Sequence, residues 1–164
     1  MNHIYYPCWY RLAGKDAYLL WYDSPKNHVV TSAFKKALRF KTIAEIESYT
    51  HQHELSLQVN EPLLFDLDAM TAELTGAITT PTACQDMLNA WNLFDDVARS
   101  CNQRFDRNQR LSNRIYLKLV WGSNLSALTP PNKEYLPFWT KGQLKIIRKT
   151  LRKGLRLFKE SVLA

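Results

Sequence analysis

Cysteine and glycine are scarce in this sequence, and long apolar runs are missing. The three cysteines, at positions 8, 84 and 101, are odd in number and irregularly spaced, which excludes a disulfide framework and a zinc-binding pattern. The five glycines are isolated, so there is no glycine-rich phosphate loop. Apolar runs such as 17–22 are far shorter than the roughly 18 residues of a membrane-spanning helix. The N-terminus lacks the pattern of a signal peptide, and we expect a cytoplasmic protein.

Lysine and arginine are missing from residues 42–98, and this absence divides the chain into three electrical blocks. Residues 42–98 carry ten acidic residues and have a net charge of −10. Residues 1–41 have a net charge of +5 and residues 99–164 of +12, so the overall charge of +7 hides a strongly acidic segment. Either the acidic and basic elements pair with each other in the fold, or the acidic block faces a basic partner, since complementary charge selects partners.

The remaining composition is that of an ordinary globular protein. Apolar residues make up 46% of the 164 residues and charged residues 23%, which excludes long disordered tracts. We expect one domain over residues 1–164, with mostly strands in 1–41 and mostly helices in 42–164. This order of elements predicts an α+β fold in which a small N-terminal antiparallel sheet packs against four to five helices.

Local patterns place the individual elements. The aromatic runs 3–12 and 17–23 flank a glycine-containing turn and predict a hairpin, and Val29 opens a third strand. Thr42 with Glu45, and Thr140 with Gln143, predict capped helix starts. A short strand is expected near 55–59, followed by a short helix capped by Asp66 or Asp68 and a long amphipathic helix from Pro81 to about 101. Residues 111–119 predict a further helix, although 115–121 could instead form a strand. The last helix is expected to begin at about residue 140.

No pattern of residues in this sequence predicts catalysis. His51 and His53 stand two residues apart on a predicted helix, where they do not face each other and make a poor metal site. Cys84 as a nucleophile with His51 as its base is possible on residue type alone, but Cys84 lies on an apolar helix face that is typical of a core. We therefore expect no enzyme, no cofactor and no metal.

The last predicted helix is strongly basic. Its eight lysines and arginines stand against one acid, Glu160, so residues 1–140 carry no net charge. This basic side is either a solvated outer face or a surface that binds nucleic-acid phosphates. If this side binds phosphates, the chain is a nucleic-acid-binding or regulatory protein. The residues that would bind the nucleic acid are Lys145, Arg148, Lys149, Arg152 and Arg156.

Three stretches together resemble a known family. They are Trp91-Asn92-Leu93-Phe94-Asp95-Asp96-Val97-Ala98-Arg99-Ser100, then Lys118-Leu119-Val120-Trp121-Gly122-Ser123-Asn124-Leu125 through Pro130, and Gly154-Leu155-Arg156-Leu157-Phe158. Over roughly residues 40–164 the chain resembles the immunity proteins encoded beside bacterial contact-dependent growth inhibition toxins and related polymorphic toxins.

The resemblance implies a cytoplasmic, non-catalytic protein that binds and neutralises one cognate toxin domain, often a nuclease. Nuclease toxins tend to be basic, so an inhibitor can offer carboxylates as a mimic of nucleic acid. Interfaces in this family are too variable for any binding residue to be carried over, and our candidates rest on charge alone. The predicted toxin-binding residues are Glu54, Glu61, Asp66, Asp68 and Glu73, with nearby exposed aromatic side chains as anchors.

Overall fold

The computed structural model, which describes residues 3–105 and 109–163, has the α+β fold that the sequence predicts. The strands are β1 (Ile4–Leu12), β2 (Lys15–Tyr22), β3 (His28–Val29), β4 (Ser56–Leu57) and β5 (Leu64–Asp66). The helices are α1 (Ile43–Gln52), α2 (Leu67–Glu73), α3 (Pro81–Ser100), α4 (Gln109–Gly122) and α5 (Lys141–Ser161). Residues 109–122 therefore form a helix, which decides between the two alternatives for that segment. None of the helices in the described part is long and apolar enough to cross a membrane.

The sheet is mixed, with β1 at its centre. The strand order is β3-β2-β1-β4, and β5 also pairs with β1. β1, β2 and β3 are antiparallel, whereas β4 and β5 run parallel to β1. The prediction of an antiparallel sheet built from residues 1–41 is thus wrong for these two strands. The chain returns to β1 through α1, and a crossover of this kind delivers a strand in the parallel direction.

Side chains of β1 and β2 alternate between the two faces of the sheet, and both faces are covered by other elements. Cys8, Tyr10 and Leu19 point into the larger core, which the sheet forms with α2, α3, α4 and α5. Leu20 points to the opposite face, where it packs with Phe40 and Ile46 beneath α1. The sheet thus has a helical layer on one side and a single helix on the other.

Helix starts are fixed by threonine caps. The hydroxyl groups of Thr42, Thr80 and Thr140 each accept a hydrogen bond from the backbone N–H three residues later. At Thr140 the predicted reciprocal bond is also present, since the Gln143 side chain accepts from the Thr140 N–H. Satisfying these otherwise free N–H groups stabilises each helix by about 1 kcal/mol.

Glycines let helices α3, α4 and α5 approach closely. A Cβ at Gly154 of α5 would lie 2.4 Å from Cδ2 of Phe94, and a Cβ at Gly122 of α4 would lie 2.7 Å from Sγ of Cys84. Phe94 also packs against Phe158, with ring centroids 5.8 Å apart. The three stretches that carry the family resemblance therefore meet in this helical layer.

Candidate binding surfaces

The five predicted toxin-binding acids do not converge on one surface. Glu54 follows α1, which covers the other face of the sheet from α3 and α5. Glu61 lies between β4 and β5, beside the N-terminal half of β1. Asp66 and Asp68 lie at the opposite end of β1, about 20 Å away at the usual rise of a strand.

Asp66 and Asp68 are held by hydrogen bonds within the fold. Asp66 caps α2, as predicted, by accepting from the Ala69 N–H at 2.8 Å, and it lies 3.5 Å from the Arg11 guanidinium. The Asp68 carboxylate accepts from the N–H groups of Ala13 and Gly14, both at 2.8 Å. These two residues form the turn of the β1–β2 hairpin with positive φ angles. Both carboxylates thus stabilise local structure, and their toxin contacts stay predictions.

Glu73 lies half-buried at the end of α2. Burial, followed by the nearby carboxylates of Asp86 and Asp66, raises the pKa of Glu73 to about 7. A carboxyl group with such a pKa is largely protonated in mildly acidic solution, so it is a weaker partner for a basic protein than an exposed glutamate.

Glu61, among the predicted acids, lines a concave surface. A cavity of about 310 Å³ lies where the start of β1 and the end of β2 meet the segment between β4 and β5. Three aromatic side chains and two exposed carboxylates border it. The lining residues are Tyr6, Pro7, Trp21, Tyr22, Asp23, Asn27, Gln58, Asn60, Glu61 and Pro62.

A second cavity of about 470 Å³ continues this one toward α3, and the two share Pro7, Trp21 and Asn27 as walls. Its other lining residues are Leu63, Phe65, Asn89, Asn92 and Asp96. None of the described residues that line either cavity is a lysine or an arginine. We call the two cavities together the aromatic groove.

The aromatic walls of the groove are fixed by packing. Trp21 stands edge-on to Phe65, with ring centroids 5.6 Å apart, and its Nε1–H is buried and finds no acceptor among the described residues. Tyr22 stacks on His28 at 5.5 Å and contacts Tyr5 at 5.4 Å. Rigid aromatic side chains of this kind are typical anchors of protein interfaces.

The α3 wall of the groove carries a buried carboxyl group. Asp96 is 7% exposed and lies 2.7 Å from the Arg99 guanidinium, which also contacts Asp95 at 2.9 Å. Asp95 and Asp96 thus form i,i+4 and i,i+3 ion pairs with Arg99 along α3. Burial is the main influence on Asp96 and raises the pKa of this carboxyl to about 7, although Arg99 acts in the opposite direction. Arg99 also donates to the carbonyl of Asn27 at 3.0 Å, and this third contact ties α3 to the loop between β2 and β3.

The outward side of α5 forms a separate, purely basic groove of about 590 Å³. All of its lining residues are cationic, and they comprise the five basic residues predicted from the sequence together with Lys153. Four of them are exposed: Lys145, Lys149, Arg152 and Arg156. Within the described ranges, no ion pair joins α5 to the acidic block. The acidic block pairs with Arg11 of β1 through Asp66, and with Arg99 through Asp95 and Asp96 inside α3.

Arg148 lines the basic groove and also has a structural role. Its Nε donates to the carbonyl of Leu74 at 2.6 Å, and a terminal nitrogen donates to the carbonyl of Gly76 at 3.1 Å. These carbonyls follow α2, so Arg148 fastens the end of that helix to α5.

The groove was only partly predictable. Sequence reasoning identified Glu61 but missed Asp23, which lies outside the base-free segment, and it did not say which aromatic residues would anchor a partner. The available signal was the concentration of tyrosine and tryptophan in residues 3–12 and 17–23.

In the described residues there is no group of three or more histidine, cysteine or acidic side chains placed to hold a metal ion.

Comparison with known proteins bears on the fold alone. No protein-family model and no curated protein matches the sequence. Among solved structures, the chain is similar to the crystal structure of the SatS C-terminal domain in complex with bromine, with a TM-score of 0.54. The match covers 97% of this chain and 92% of that chain at 10% sequence identity. At so low an identity, the likeness supports the α+β architecture and carries no function across.

Proposed function

We propose that this chain is a non-catalytic immunity protein that acts in the cytoplasm and neutralises a cognate toxin domain, which is a basic nuclease. The observation that carries the proposal is the aromatic groove, whose rim offers the exposed carboxylates of Asp23 and Glu61 and whose walls contain no lysine or arginine among the described residues. The resemblance over residues 40–164 supports the same class of protein.

The groove suits a lysine or arginine side chain of the toxin. A cation that enters beside Trp21 and Tyr22 faces aromatic rings, which attract it by about 0.5–2 kcal/mol. The carboxylates of Asp23 and Glu61 lie at the same opening and supply opposite charge. The negative charges at this opening steer association with a basic partner, and they favour the cognate complex over complexes with other proteins.

The proposal is tested by co-expression with the product of the adjacent upstream gene, which is the expected toxin. We expect the wild-type protein to protect cells and to form a complex with that product. The paired substitution Asp23→Lys and Glu61→Lys should weaken the complex at least about 30-fold, which corresponds to about 2 kcal/mol. Glu47→Lys is the matched control, since Glu47 is an exposed acid on α1, outside the groove.

One result would contradict the immunity function, and a different result would contradict the groove as its contact surface. If the wild-type protein gives no protection and no complex with the neighbouring product, the immunity function is wrong. If the complex forms but the groove variant binds as tightly as the Glu47→Lys control, the function stands and the groove is not the contact surface.

A further inference from the structure

We propose that the basic groove of α5 is a second, separate binding site, which takes the phosphate backbone of a nucleic acid strand. This inference is independent of the immunity function, because it concerns a different surface. It rests on the groove of about 590 Å³ whose lining is made entirely of lysine and arginine.

The exposed cations form a straight row. Lys145, Lys149, Arg152 and Arg156 are separated by four, three and four residues, so they lie on one side of the helix. At 1.5 Å per residue the row is about 16 Å long. The buried residues Ile147, Leu151 and Phe158 fix the opposite side of α5 in the core, so the row cannot turn inward.

The charge of this row is not used inside the protein. None of the four exposed cations has a carboxylate partner among the described residues, although the chain contains fifteen acids. Glu160 is the one acid of α5, and it lies a turn beyond Arg156 at the end of the row. The row therefore presents an uncompensated positive surface to solvent.

The composition of the groove favours phosphates over a protein partner. Protein interfaces are depleted in lysine at their centre and depend on apolar and aromatic anchors. No aromatic or aliphatic residue is among the residues that line the α5 groove. Binding to a phosphate backbone needs only cations, and arginine can contact two phosphate oxygens at once.

The test is fluorescence anisotropy with a labelled 20-nucleotide oligothymidylate, measured with the full chain between 50 and 200 mM salt. Four neutralised phosphates predict a slope of log K against log salt of about −2.8, and hence an affinity that falls about 50-fold over this range. A duplex of the same length predicts a slope of about −3.6, so the two slopes distinguish single from double strands.

Variants locate the site. The triple substitution Lys149→Gln, Arg152→Gln and Arg156→Gln should reduce the single-strand slope to about −0.7. Glu160→Gln should tighten binding, since it removes the negative charge beside the row. The control carries Lys26→Gln and Lys133→Gln, two exposed lysines outside the groove, and should keep the wild-type slope. Circular dichroism verifies that each variant is folded.

Three outcomes overturn the inference: no binding at 50 mM salt, a triple variant that binds like the wild type, or polyglutamate that competes as well as the oligonucleotide at equal charge. The last result would assign the row to an acidic protein. Toxin protection by the triple variant reports on the proposed function separately, because the aromatic groove is intact in it.

Discussion

The close contact between α5 and α3 at Gly154 lets us predict how much Gly154→Ala changes the stability of the fold. In Gly154→Ala the new Cβ would lie 2.4, 2.9 and 3.1 Å from three carbons of Phe94. Carbon atoms pack best at 3.5–4.0 Å, so the ring has to move by about an ångström. Phe94 is 1% exposed and packs against the rings of Phe105 and Phe158, which leaves it no free space.

The sign of the effect follows from two opposed terms. Overpacking a core costs about 1–3 kcal/mol, whereas replacing glycine by alanine inside a helix stabilises it by about 1 kcal/mol. Because three carbons of Phe94 would lie within 3.1 Å of the new Cβ, the overpacking cost falls in the upper part of its range, at about 2–3 kcal/mol. We therefore expect Gly154→Ala to lower the free energy of unfolding by about 1–2 kcal/mol. Gly142→Ala is the matched control on the same helix, because the atom nearest to its added Cβ is Oγ1 of Thr140 at 3.9 Å.

Urea denaturation measures both variants. Gly154→Ala should lower the midpoint without changing the slope of the transition, and Gly142→Ala should leave the midpoint unchanged or raise it. Combining Gly154→Ala with Phe94→Leu should recover part of the loss, since the two sites are in contact. A Gly154→Ala protein as stable as the wild type would refute the close packing of α3 on α5.

Two further predictions concern residues at the end of α2. Arg148→Ala should cost about 1–2 kcal/mol of stability in thermal denaturation, because the carbonyls of Leu74 and Gly76 lose their donor. Lys149→Ala is the control and should change stability by less than about 0.5 kcal/mol. Equal losses in the two variants would contradict the bridging role of Arg148. The pKa of Glu73 is about 7 in the folded protein against an ordinary 4.5, so the folded state binds the extra proton and stability falls as pH rises between these values. Glu73→Gln should remove that fall and gain stability relative to the wild type from pH 5 to pH 8; urea midpoints that differ by a constant amount across this range would argue against the raised pKa.

Elements with strong local signals were predictable from the sequence. The β1–β2 hairpin follows from two aromatic runs and a glycine turn, and α5 follows from a capping box and a regular apolar stripe. β4 lies within the short strand predicted near 55–59, whereas β5 contains only three residues and is too short for a periodic pattern. Their parallel pairing with β1 is decided by tertiary contacts that no local pattern encodes.

The binding surfaces differ in the same way. The α5 row is local, so its helical spacing could be read from the sequence. The aromatic groove joins residues near 6, 21–27, 58–65 and 89–96, which only the fold brings together. Charge counting identified Glu61 in this groove, but it also selected Asp66 and Asp68, whose hydrogen bonds within the fold are invisible to a count of charges.

Hydrogen–deuterium exchange on the complex with the neighbouring toxin product tests the central claim most directly. Peptides that cover residues 22–27 and 58–65 border the aromatic groove, and we predict that their exchange slows when the toxin binds, while peptides from α1 and α5 exchange as in the free protein. Protection confined to α5 or α1, with residues 22–27 and 58–65 unchanged, would contradict the assignment of the aromatic groove as the toxin-binding surface.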